Sequence, residues 1–464
     1  MDKKAFHLIS LGCSKNTVDS ESMAQLLWNS GFKATVDPTD AGVLIVNTCG
    51  FIGPAKEESY TVLGELAEAK QPGQLLIAAG CLTQRYGAEV VQRVPSIDGV
   101  LGTRRWMDIV SVVQRLRAQP HPEPLYHLPE APTVGADENG ALRVAVQGPS
   151  AYIKVADGCR RPCAFCAIPL IKGTAVSRPV ELILNEARIL RDNGVRELIL
   201  VAQDTTDYGH DLGVKNGLAH LLKELVGVVP DVDWIRVMYS YPGYVTDELI
   251  ETIANHDQLI PYLDMPLQHA HPATLKRMRR PANMDWVYRT LEKMRTTMPD
   301  LALRTTFIVG YPGETEQEFQ TLMDFVAEMR FDRVGAFTFS FEPGTSSEPL
   351  GDPVPEAVKL ERQARLMTLQ QGISLENNQA QVGKTLDVLI EGHGEIEDSD
   401  ELIAIGRSYR DAPEIDGLVI VEGQPPVGEL APVRINGAMT YDLTGVVETG
   451  QTVITMDDLE ISTK

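Results

Sequence analysis

The first 115 residues alternate between short apolar runs and segments with helical periodicity. The helical segments lie near residues 20–30 and 54–70, and the apolar runs are AFHLISLGC, GVLIVNTC and QLLIAAGC. Strands buried on both faces of a parallel sheet read as continuous apolar runs, whereas surface helices repeat with a period of about 3.6 residues. The pattern therefore predicts a parallel α/β domain over residues 1–115.

A second alternating region follows residues 116–148, which are rich in proline and polar residues and are predicted to form a linker. Residues 149–380 contain six strand-like segments, separated by helices and closed by a last helix near 355–380. The segments are AYIKVADGC, RELILVAQD, WIRVMYSYP, YLDMPLQHA, ALRTTFIVGYP and RVGAFTFSF. The intervening helices are predicted near 179–193, 217–228, 246–255, 284–298 and 315–330. Six such units predict a partial (β/α)6 barrel rather than a closed eight-stranded one.

The pattern changes again at about residue 381, where short β-like segments alternate with turns. These segments are TLDVLIEG, ELIAIGRS, LVIVEG, APVRINGAM and DLTGVVETG. They predict a small antiparallel β-barrel of the OB type over residues 381–464. The chain as a whole is therefore predicted to be an α/β multidomain protein with three folded parts.

Charge is distributed unevenly along the chain. Residues 381–464 contain 17 acidic and 5 basic residues, so this segment carries −12 of the chain's net charge of −22. Acidic surfaces repel nucleic acid and attract basic proteins. The composition therefore favours a basic protein partner and disfavours nucleic acid.

Cysteine usage and hydropathy indicate a cytoplasmic protein without a membrane partner. No apolar run approaches the roughly 18 residues of a membrane span, and the start, MDKKAFHLISLGC, has too short an apolar run for a signal peptide. The chain has only six cysteines, and reducing cytosol disfavours structural disulfides. Metal binding or catalysis is the better interpretation of these thiols.

Three of the cysteines lie in one tight run, DGCRRPCAFCAIP, which places Cys159, Cys163 and Cys166 at C-x3-C-x2-C spacing. Three thiolates on one short loop can hold three irons of a 4Fe-4S cluster and leave the fourth iron open. Zinc is the alternative, but structural zinc sites need four ligands and usually open with C-x2-C or C-x4-C. The spacing favours the iron-sulfur cluster.

The other three cysteines, Cys13, Cys49 and Cys81, each end a predicted strand of the first domain. Because the carboxyl ends of parallel strands lie on one edge of a sheet, we expect these thiols to converge there. A single buried cysteine is usually an ordinary core residue, but three at equivalent strand ends predict a second, open-sided cluster. Each has a glycine neighbour, which we expect to leave room for a bulky ligand: Gly12, Gly50 and Gly80.

With these motifs the barrel resembles the radical S-adenosylmethionine (SAM) superfamily, and the whole chain resembles its methylthiotransferase family. The matching motifs are LGCSKNTVDSE, NTCGFI, AAGCLTQRYG, DGCRRPCAFCAIP, PLQHA, FIVGYPGET and SFEPGTSSE. The resemblance implies a C-terminal TRAM domain, two 4Fe-4S clusters, SAM, and an electron donor such as flavodoxin or ferredoxin. It also implies that one SAM methylates a sulfur held at the Cys13, Cys49 and Cys81 cluster, whereas a second yields a 5′-deoxyadenosyl radical at the other cluster.

Two further residues are similar to cofactor contacts of this superfamily. Phe165 resembles the aromatic residue beside the adenine of SAM, although a loop aromatic packing under the cluster would look the same. Gln203 lies at the end of the second strand-like segment of the barrel. A polar residue with no cofactor role is also common at such a position.

Within the family, several residues resemble the branch that modifies the β-carbon of an aspartate in small-subunit ribosomal protein S-twelve (uS12). They are Lys15, Asn16, Gln268, His269 and Glu342, the last standing where tRNA-modifying relatives tend to carry arginine. The same chemistry on tRNA adenosine is the first alternative and would need a basic face on the β-barrel. A non-catalytic ribosome-associated or RNA-binding factor is the second, and the intact C-x3-C-x2-C run argues against it.

Two basic positions have more than one interpretation. Residue 172 is lysine where the family commonly has arginine. The positive charge is kept, but lysine cannot make the bidentate hydrogen bonds of a guanidinium group. The basic stretch KRMRR, at Lys276, Arg277, Arg279 and Arg280, could grip a carboxylate of the cofactor or of the target aspartate. A solvated helix face explains the same stretch.

Overall fold

The computed structural model describes residues 2–118, 123–134, 140–395 and 402–448. The chain divides into two compact units, Met1–Ile373 and Ser374–Lys464, and the division falls near the end of one long helix. Across the described ranges, no helix is both long enough and apolar enough to cross a lipid bilayer.

The first unit opens with a six-stranded sheet. Its strands are β1 (Asp2–Ser10), β2 (Lys33–Ala34), β3 (Ala41–Thr48), β4 (Leu75–Gly80), β5 (Gly99–Gly102) and β6 (Leu125–His127). Its helices are α1 (Ser14–Asn29), α2 (Gly53–Ala69), α3 (Cys81–Arg93) and α4 (Ile109–Ala118). All neighbours pair in parallel, in the order β2-β1-β3-β4-β5-β6. Alternate residues of β3 enter two different apolar cores, Val43 and Ile45 on one face and Leu44 and Val46 on the other. The predicted parallel α/β domain is confirmed.

A second sheet of the same unit carries the barrel. Its segments are β7 (Val144–Gln147), β8 (Ser150–Lys154), β9 (Ala156–Asp157), β10 (Val176–Ser177), β11 (Glu197–Val201), β12 (Trp234–Val237), β13 (Leu259–Asp264), β14 (Ala302–Val309) and β15 (Arg333–Thr338). The order is β15-β14-β13-β12-β11-β8-β7, and β9 pairs separately with β10. Six strands of this sheet are parallel, as predicted for a partial barrel: β8, β11, β12, β13, β14 and β15. β7 adds an antiparallel edge.

Helices cover the barrel strands, and the longer ones lie at the positions that the hydrophobic period predicts. They are α5 (Ile168–Ile171), α6 (Val180–Asp192), α7 (Gly217–Val228), α8 (Asp247–Ala254), α9 (Pro272–Arg277), α10 (Met284–Thr297), α11 (Glu316–Met329) and α12 (Glu356–Gln379). The apolar faces of the longer helices pack against the strands in one continuous core, as Leu221 of α7 and Leu322 of α11 do. The short helices α5 and α9 have no counterpart in the pattern, because six residues or fewer give too little periodicity to detect.

The predicted linker, residues 116–148, differs from expectation in part. It contributes β6 to the edge of the first sheet and β7 to the edge of the second. An edge strand needs pairing on one side only, so three or four residues suffice even in a polar, proline-rich context. The domain boundaries at 115, 148 and 380 stay predictions.

The second unit contains a closed five-stranded barrel. Its strands are β16 (Thr385–Glu395), β17 (Leu402–Ser408), β18 (Val419–Glu422), β19 (Leu430–Ala438) and β20 (Leu443–Val447), joined in the order β16-β17-β18-β20-β19. Four pairs are antiparallel, whereas β18 and β20 run parallel. A closed ring with an odd number of strands must contain a parallel pair, because directions cannot alternate all the way round. The predicted OB-like barrel is confirmed with this one difference.

Candidate functional site

The first three cysteines meet at the carboxyl edge of the first sheet. Cys13 lies between β1 and α1, Cys49 follows β3, and Cys81 is the first residue of α3 directly after β4. β1 and β3 flank the point where the strand order reverses, which is the usual ligand position in an open α/β sheet. The expected convergence of the three strand ends therefore holds in the structure.

The glycines beside these cysteines allow close contacts within the protein itself. A Cβ atom on Gly12, whose φ is +91°, would lie 2.8 Å from the Cβ of Cys49. One on Gly50 would lie 2.5 Å from the Cα of Leu82. These glycines let the cysteine loops pack against one another, rather than leaving open room for a ligand.

The second three cysteines lie on one loop between β9 and α5. Two backbone hydrogen bonds anchor the loop: the Cys159 amide donates to the Gly173 carbonyl at 3.1 Å, and the Ala164 amide donates to the Met278 carbonyl at 2.8 Å. The Phe165 ring packs partly buried beside Met278, Tyr311 and Phe339. The loop is therefore fixed to the barrel before any ligand binds.

All six thiols line a single cavity of about 430 Å³. Both sequence-predicted cofactor contacts, Phe165 and Gln203, line it as well. Its walls also include residues that sequence analysis did not single out, notably Tyr239, Ser240 and Tyr241 directly after β12. The signal for these three was present in the segment WIRVMYSYP, where polar residues follow an apolar run. Two cysteine sets from two different sheets thus share one chamber.

The thiols are the natural donors for iron-sulfur chemistry in this chamber. Within the described ranges, no three His, Cys, Asp or Glu side chains are arranged to hold a single metal ion. The fit to a cluster rests instead on the donor type, since thiolates hold 4Fe-4S clusters through separate irons. Burial raises the pKa of Cys81 and Cys166 to about 12. These thiols are protonated at neutral pH, so any metal centre that bound them would have to displace their protons.

Cys13 differs from the other thiols in its electrostatics. Loss of solvation in the cavity opposes ionisation, but Lys15, the backbone amide of Asn16 and Lys172 outweigh it, and the pKa of Cys13 is lowered. By contrast, burial raises the pKa of Cys49 to about 11. Cys13 is therefore the thiol of its set that ionises most readily.

Polar atoms without protein partners point into the same cavity. Gln203 Oε1, Ser240 Oγ and Arg280 Nε are buried, and each lacks a hydrogen-bond partner among the described residues. Asn16 Oδ1 is a fourth such atom, and because buried polar groups normally have partners, four unpaired atoms around one cavity fit a polar ligand. The amino acid and ribose groups of SAM offer donors and acceptors of this kind.

A buried network of charges ties the two cysteine-bearing segments together. Asp19 of α1 contacts Lys154 Nζ at 2.5 Å, Lys172 Nζ at 2.8 Å and Arg143 Nη2 at 3.0 Å. Asp157, two residues before Cys159, contacts the same three cations. Although burial favours the neutral acid, these cations hold the pKa of Asp19 below its usual value. The ammonium group of Lys172 contacts both carboxylates, so a bidentate arginine side chain is not needed at residue 172.

Comparison with known proteins identifies the family. Residues 153–326 match the radical SAM superfamily, residues 5–102 match an uncharacterized protein family called UPF0004, and residues 382–447 match the TRAM domain. Relatives named ribosomal protein uS12 methylthiotransferase RimO come from Roseiflexus sp. and Chloroflexus aurantiacus. They are 46% and 49% identical to this chain, with alignments covering 95% of it and 96% and 99% of the relatives. The chain belongs to the RimO family.

As a RimO family member, the protein is a radical SAM methylthiotransferase, and this class implies a 4Fe-4S cluster and SAM. Its fold also resembles that of a solved radical SAM methyltransferase, TsrM from Kitasatospora setae. The TM-score is 0.56 at 13% identity, over 74% of this chain and 77% of that chain. This likeness concerns the fold alone.

The residues that pointed to one branch of the family have different positions in this RimO family member. Gln268 and Lys15 line the cavity. His269 is buried away from it, with Nε2 3.1 Å from Glu314. Glu342 is also buried and accepts hydrogen bonds from Arg85 at 2.6 Å and Lys56 at 3.0 Å. His269 and Glu342 therefore stabilise the scaffold.

The basic residues of KRMRR were interpreted either as carboxylate-binding groups or as a solvated helix face, and each interpretation fits some of them. Arg280 is buried and lines the cavity, whereas Lys276 is exposed. Arg277 pairs with Glu318 at 2.7 Å, and the exposed Arg279 donates to Ser346 Oγ at 3.0 Å. One residue of the four is in position to meet a ligand in the cavity.

The TRAM barrel has few exposed basic residues. Among its described residues, Arg407 and Arg410 are buried, and Arg407 pairs with Glu391 at 2.7 Å. The exposed basic side chains of the described barrel are Lys384 and Arg434. Its exposed acidic ones are Asp387, Glu414, Glu422, Glu429 and Glu448. The described surface is thus predominantly acidic, and a basic face of the kind that tRNA would require does not form there.

Proposed function

We propose that this protein transfers a methylthio group to the β-carbon of an aspartate in uS12, so that the Cβ–H bond is replaced by a Cβ–S bond. The observation that carries the proposal is the single cavity lined by both cysteine sets. It is supported by the identity of 46–49% to proteins named uS12 methylthiotransferases. As a modifier of a ribosomal protein, it would act in the cytoplasm with a one-electron donor such as flavodoxin or ferredoxin.

The chain's own residues have distinct parts in this proposal. Cys159, Cys163 and Cys166 would hold the cluster that supplies an electron to cleave SAM, and Cys13, Cys49 and Cys81 a second cluster that supplies the sulfur site. Gln203 and Ser240 would take up polar groups of SAM through their unpaired oxygens. Phe165 would pack beside the adenine. The largely apolar walls of the cavity would limit access of water to the reacting radical.

The acidic TRAM barrel supports uS12 over tRNA as the substrate. A polyanion would meet mainly carboxylates on its described surface, whereas a lysine- and arginine-rich ribosomal protein would be attracted to them. The acidic run Glu395, Glu397, Asp398, Asp400 and Glu401 would add to this attraction, but its side chains lie outside the described residues.

A direct assay tests the proposal. Anaerobically reconstituted protein, with SAM and a reductant, should convert uS12 to a product that is heavier by one methylthio group less one hydrogen, detected by mass spectrometry. Protein with about eight irons is expected, and a Cys159, Cys163 and Cys166 triple alanine variant should keep about four. Methylthiolated adenosine in tRNA, with unmodified uS12, would overturn the proposal.

The matched control for this assay replaces the other cysteine set. A Cys13, Cys49 and Cys81 triple alanine variant should still form 5′-deoxyadenosine but no methylthiolated uS12, because the two sets do different chemistry. If this variant kept the cluster of Cys159, Cys163 and Cys166 but formed no 5′-deoxyadenosine, the assignment of different chemistry to the two cysteine sets would be wrong.

A further inference from the structure

Lys15 is a buried cation with an unusual environment. It lies in the first turn of α1, is 9% exposed, and lines the cavity. Its Nζ atom sits 3.2 Å from the centroid of the Tyr239 ring. Among the residues that the structure describes, no carboxylate forms an ion pair with it, and the carboxylate of Asp264, which acts on it electrostatically, is paired with Arg304 at 2.9 Å. The interaction with an aromatic face offsets only part of the cost of burying an ammonium group.

The other cationic side chains that line the cavity differ in whether a carboxylate is paired with them. Arg161 is paired with Asp204 at 2.5 Å, and Lys172 is paired with Asp19 and Asp157. Arg280, like Lys15, has no carboxylate partner among the described residues: its Cζ lies 4.2 Å from the Tyr241 ring centroid, and its Nη1 lies 3.5 Å from Cys163 Sγ. Because buried charges are normally paired, the cavity is suited to two anionic groups, one at each of these cations.

The two unpaired cations lie beside different cysteine sets. Arg280 contacts Cys163, whereas Lys15 is two residues from Cys13. The proposed reaction brings two carboxylates into the cavity, that of SAM and that of the target aspartate. SAM has to lie beside the cluster that cleaves it, on the Arg280 side. The aspartate has to reach the sulfur, on the Cys13 side.

We propose that Lys15 binds the side-chain carboxylate of the target aspartate and thereby selects an acidic side chain as the methylthio acceptor. This inference rests on the proposed function, since it assigns a residue to that substrate. A neutral adenosine would leave Lys15 without a carboxylate partner.

Tyr239 holds Lys15 in a fixed position. Its backbone has φ of +62°, which a non-glycine residue adopts at a cost, and its amide donates to Asp264 Oδ2 at 3.2 Å. Its hydroxyl lies 3.4 Å from Ser14 Oγ, so it also contacts the start of α1. Strained residues of this kind persist where surrounding contacts over-determine them, and they concentrate at functional sites. The ammonium is therefore preorganised before substrate binds.

A double-mutant cycle between enzyme and substrate tests the inference. The enzymes are the wild type and Lys15→Met, and the substrates are uS12 and its Asp→Asn variant at the modified position. On unaltered uS12, Lys15→Met should lower kcat/KM by at least about tenfold, chiefly through KM for uS12. On the Asn variant the two enzymes should differ by less than about twofold, because the pair is already broken.

Three controls make the result specific. Lys223→Met removes an exposed lysine of α7 and should leave kcat/KM unchanged. Lys15→Arg keeps the charge and should recover part of the lost activity. Iron content should remain at about eight per chain in Lys15→Met. If both Lys15→Met and Lys15→Gln lost half of their iron, Lys15 would be a structural partner of Cys13 and the inference would be overturned.

The remaining outcomes distinguish this inference from the proposed function. An absence of methylthiolated uS12 with the wild-type enzyme would reject the proposed function itself. Activity of the wild type combined with additive effects in the cycle would reject only the role of Lys15. A raised KM for SAM that persists on the Asn variant would assign the Lys15 contact to the carboxylate of SAM, and would also reject it.

Discussion

Gly12 illustrates how far single residues fix the geometry of the first cysteine set. A methyl group there would lie 2.8 Å from the Cβ and 3.0 Å from the Sγ of Cys49. Real Cβ contacts are longer, so the Cys49 side chain would have to move. Since Cys13 is the next residue, a change at Gly12 disturbs two thiols of the set together.

We therefore expect Gly12→Ala to lower iron content from about eight toward about four per chain, by loss of the first cluster. Gly31→Ala is the matched control, because Gly31 has a similar φ of +82° but open space around its Cβ. Both should lose about 1–2 kcal/mol of stability from the left-handed backbone, measured by urea unfolding. Full iron in Gly12→Ala would show that the Cys49 contact is not critical.

The chemistry of single residues was only partly predictable from the sequence. The spacing of the cysteines predicted both sets, because thiol number and strand ends are visible in the pattern. The contact of Lys15 with Tyr239 joins residues more than 200 positions apart and depends on how two sheets pack. Nor could the pattern show that His269 and Glu342 stabilise the scaffold instead of lining the cavity.

At the scale of elements, α1 links the two cysteine sets. It begins directly after Cys13, and its Asp19 reaches Lys154 on β8 and Lys172 beyond α5. The loop with the second cysteines lies between these two lysines along the chain. The buried network of five charged side chains therefore fixes the position of one cysteine set relative to the other.

Replacing Asp19 by Asn would leave three buried cations facing Asp157 alone. We expect the free energy of unfolding to fall by about 3–5 kcal/mol in urea titrations. Asp192→Asn, at an exposed carboxylate paired with Arg191, should cost less than about 1 kcal/mol. Because the folded-state pKa of Asp19 is depressed, its contribution is present above the unfolded pKa and lost as pH falls through the folded one. Equal effects of the two substitutions would contradict the role given to the network.

The long, periodic helices of the barrel were predicted well, whereas α1 begins six residues before its predicted start, α4 was not predicted, and short or edge elements were missed. The helices from α6 to α8 begin within one residue of the predicted positions, since their apolar faces repeat over several turns. α3 was missed because it starts at Cys81 without a capping side chain and is interrupted at Tyr86, whose φ is −133°. β6 and β7 were missed because edge strands need little apolar character.

At the scale of the whole molecule, charge and chemistry are separated along the chain. The cavity belongs to the first unit, whereas over half of the net charge lies in residues 381–464. The composition predicted this separation, because charge can be counted without a fold. It could not predict that two of the barrel's arginines are buried, which removes them from any binding surface.

Neutralising exposed carboxylates of the barrel should slow association with uS12. We expect an Asp387→Asn, Glu414→Gln and Glu429→Gln variant to associate more slowly at low salt, and the difference to shrink as screening increases at about 0.1 M and above. Surface-based binding kinetics would measure this. A variant with Glu65, Glu68 and Glu251 changed to Gln has the same net charge and should associate faster than the barrel variant. Equal rates would mean that the barrel charge is only a solvated surface.

Closure of the terminal barrel limits the ways in which a partner can attach to it. Each strand has neighbours on both sides, so its backbone amides and carbonyls are largely used within the ring. An extended peptide cannot join such a sheet as an additional strand, which is a common route of peptide capture. Recognition at this domain must then depend on side chains and loops, and the same closure protects it from edge-to-edge aggregation.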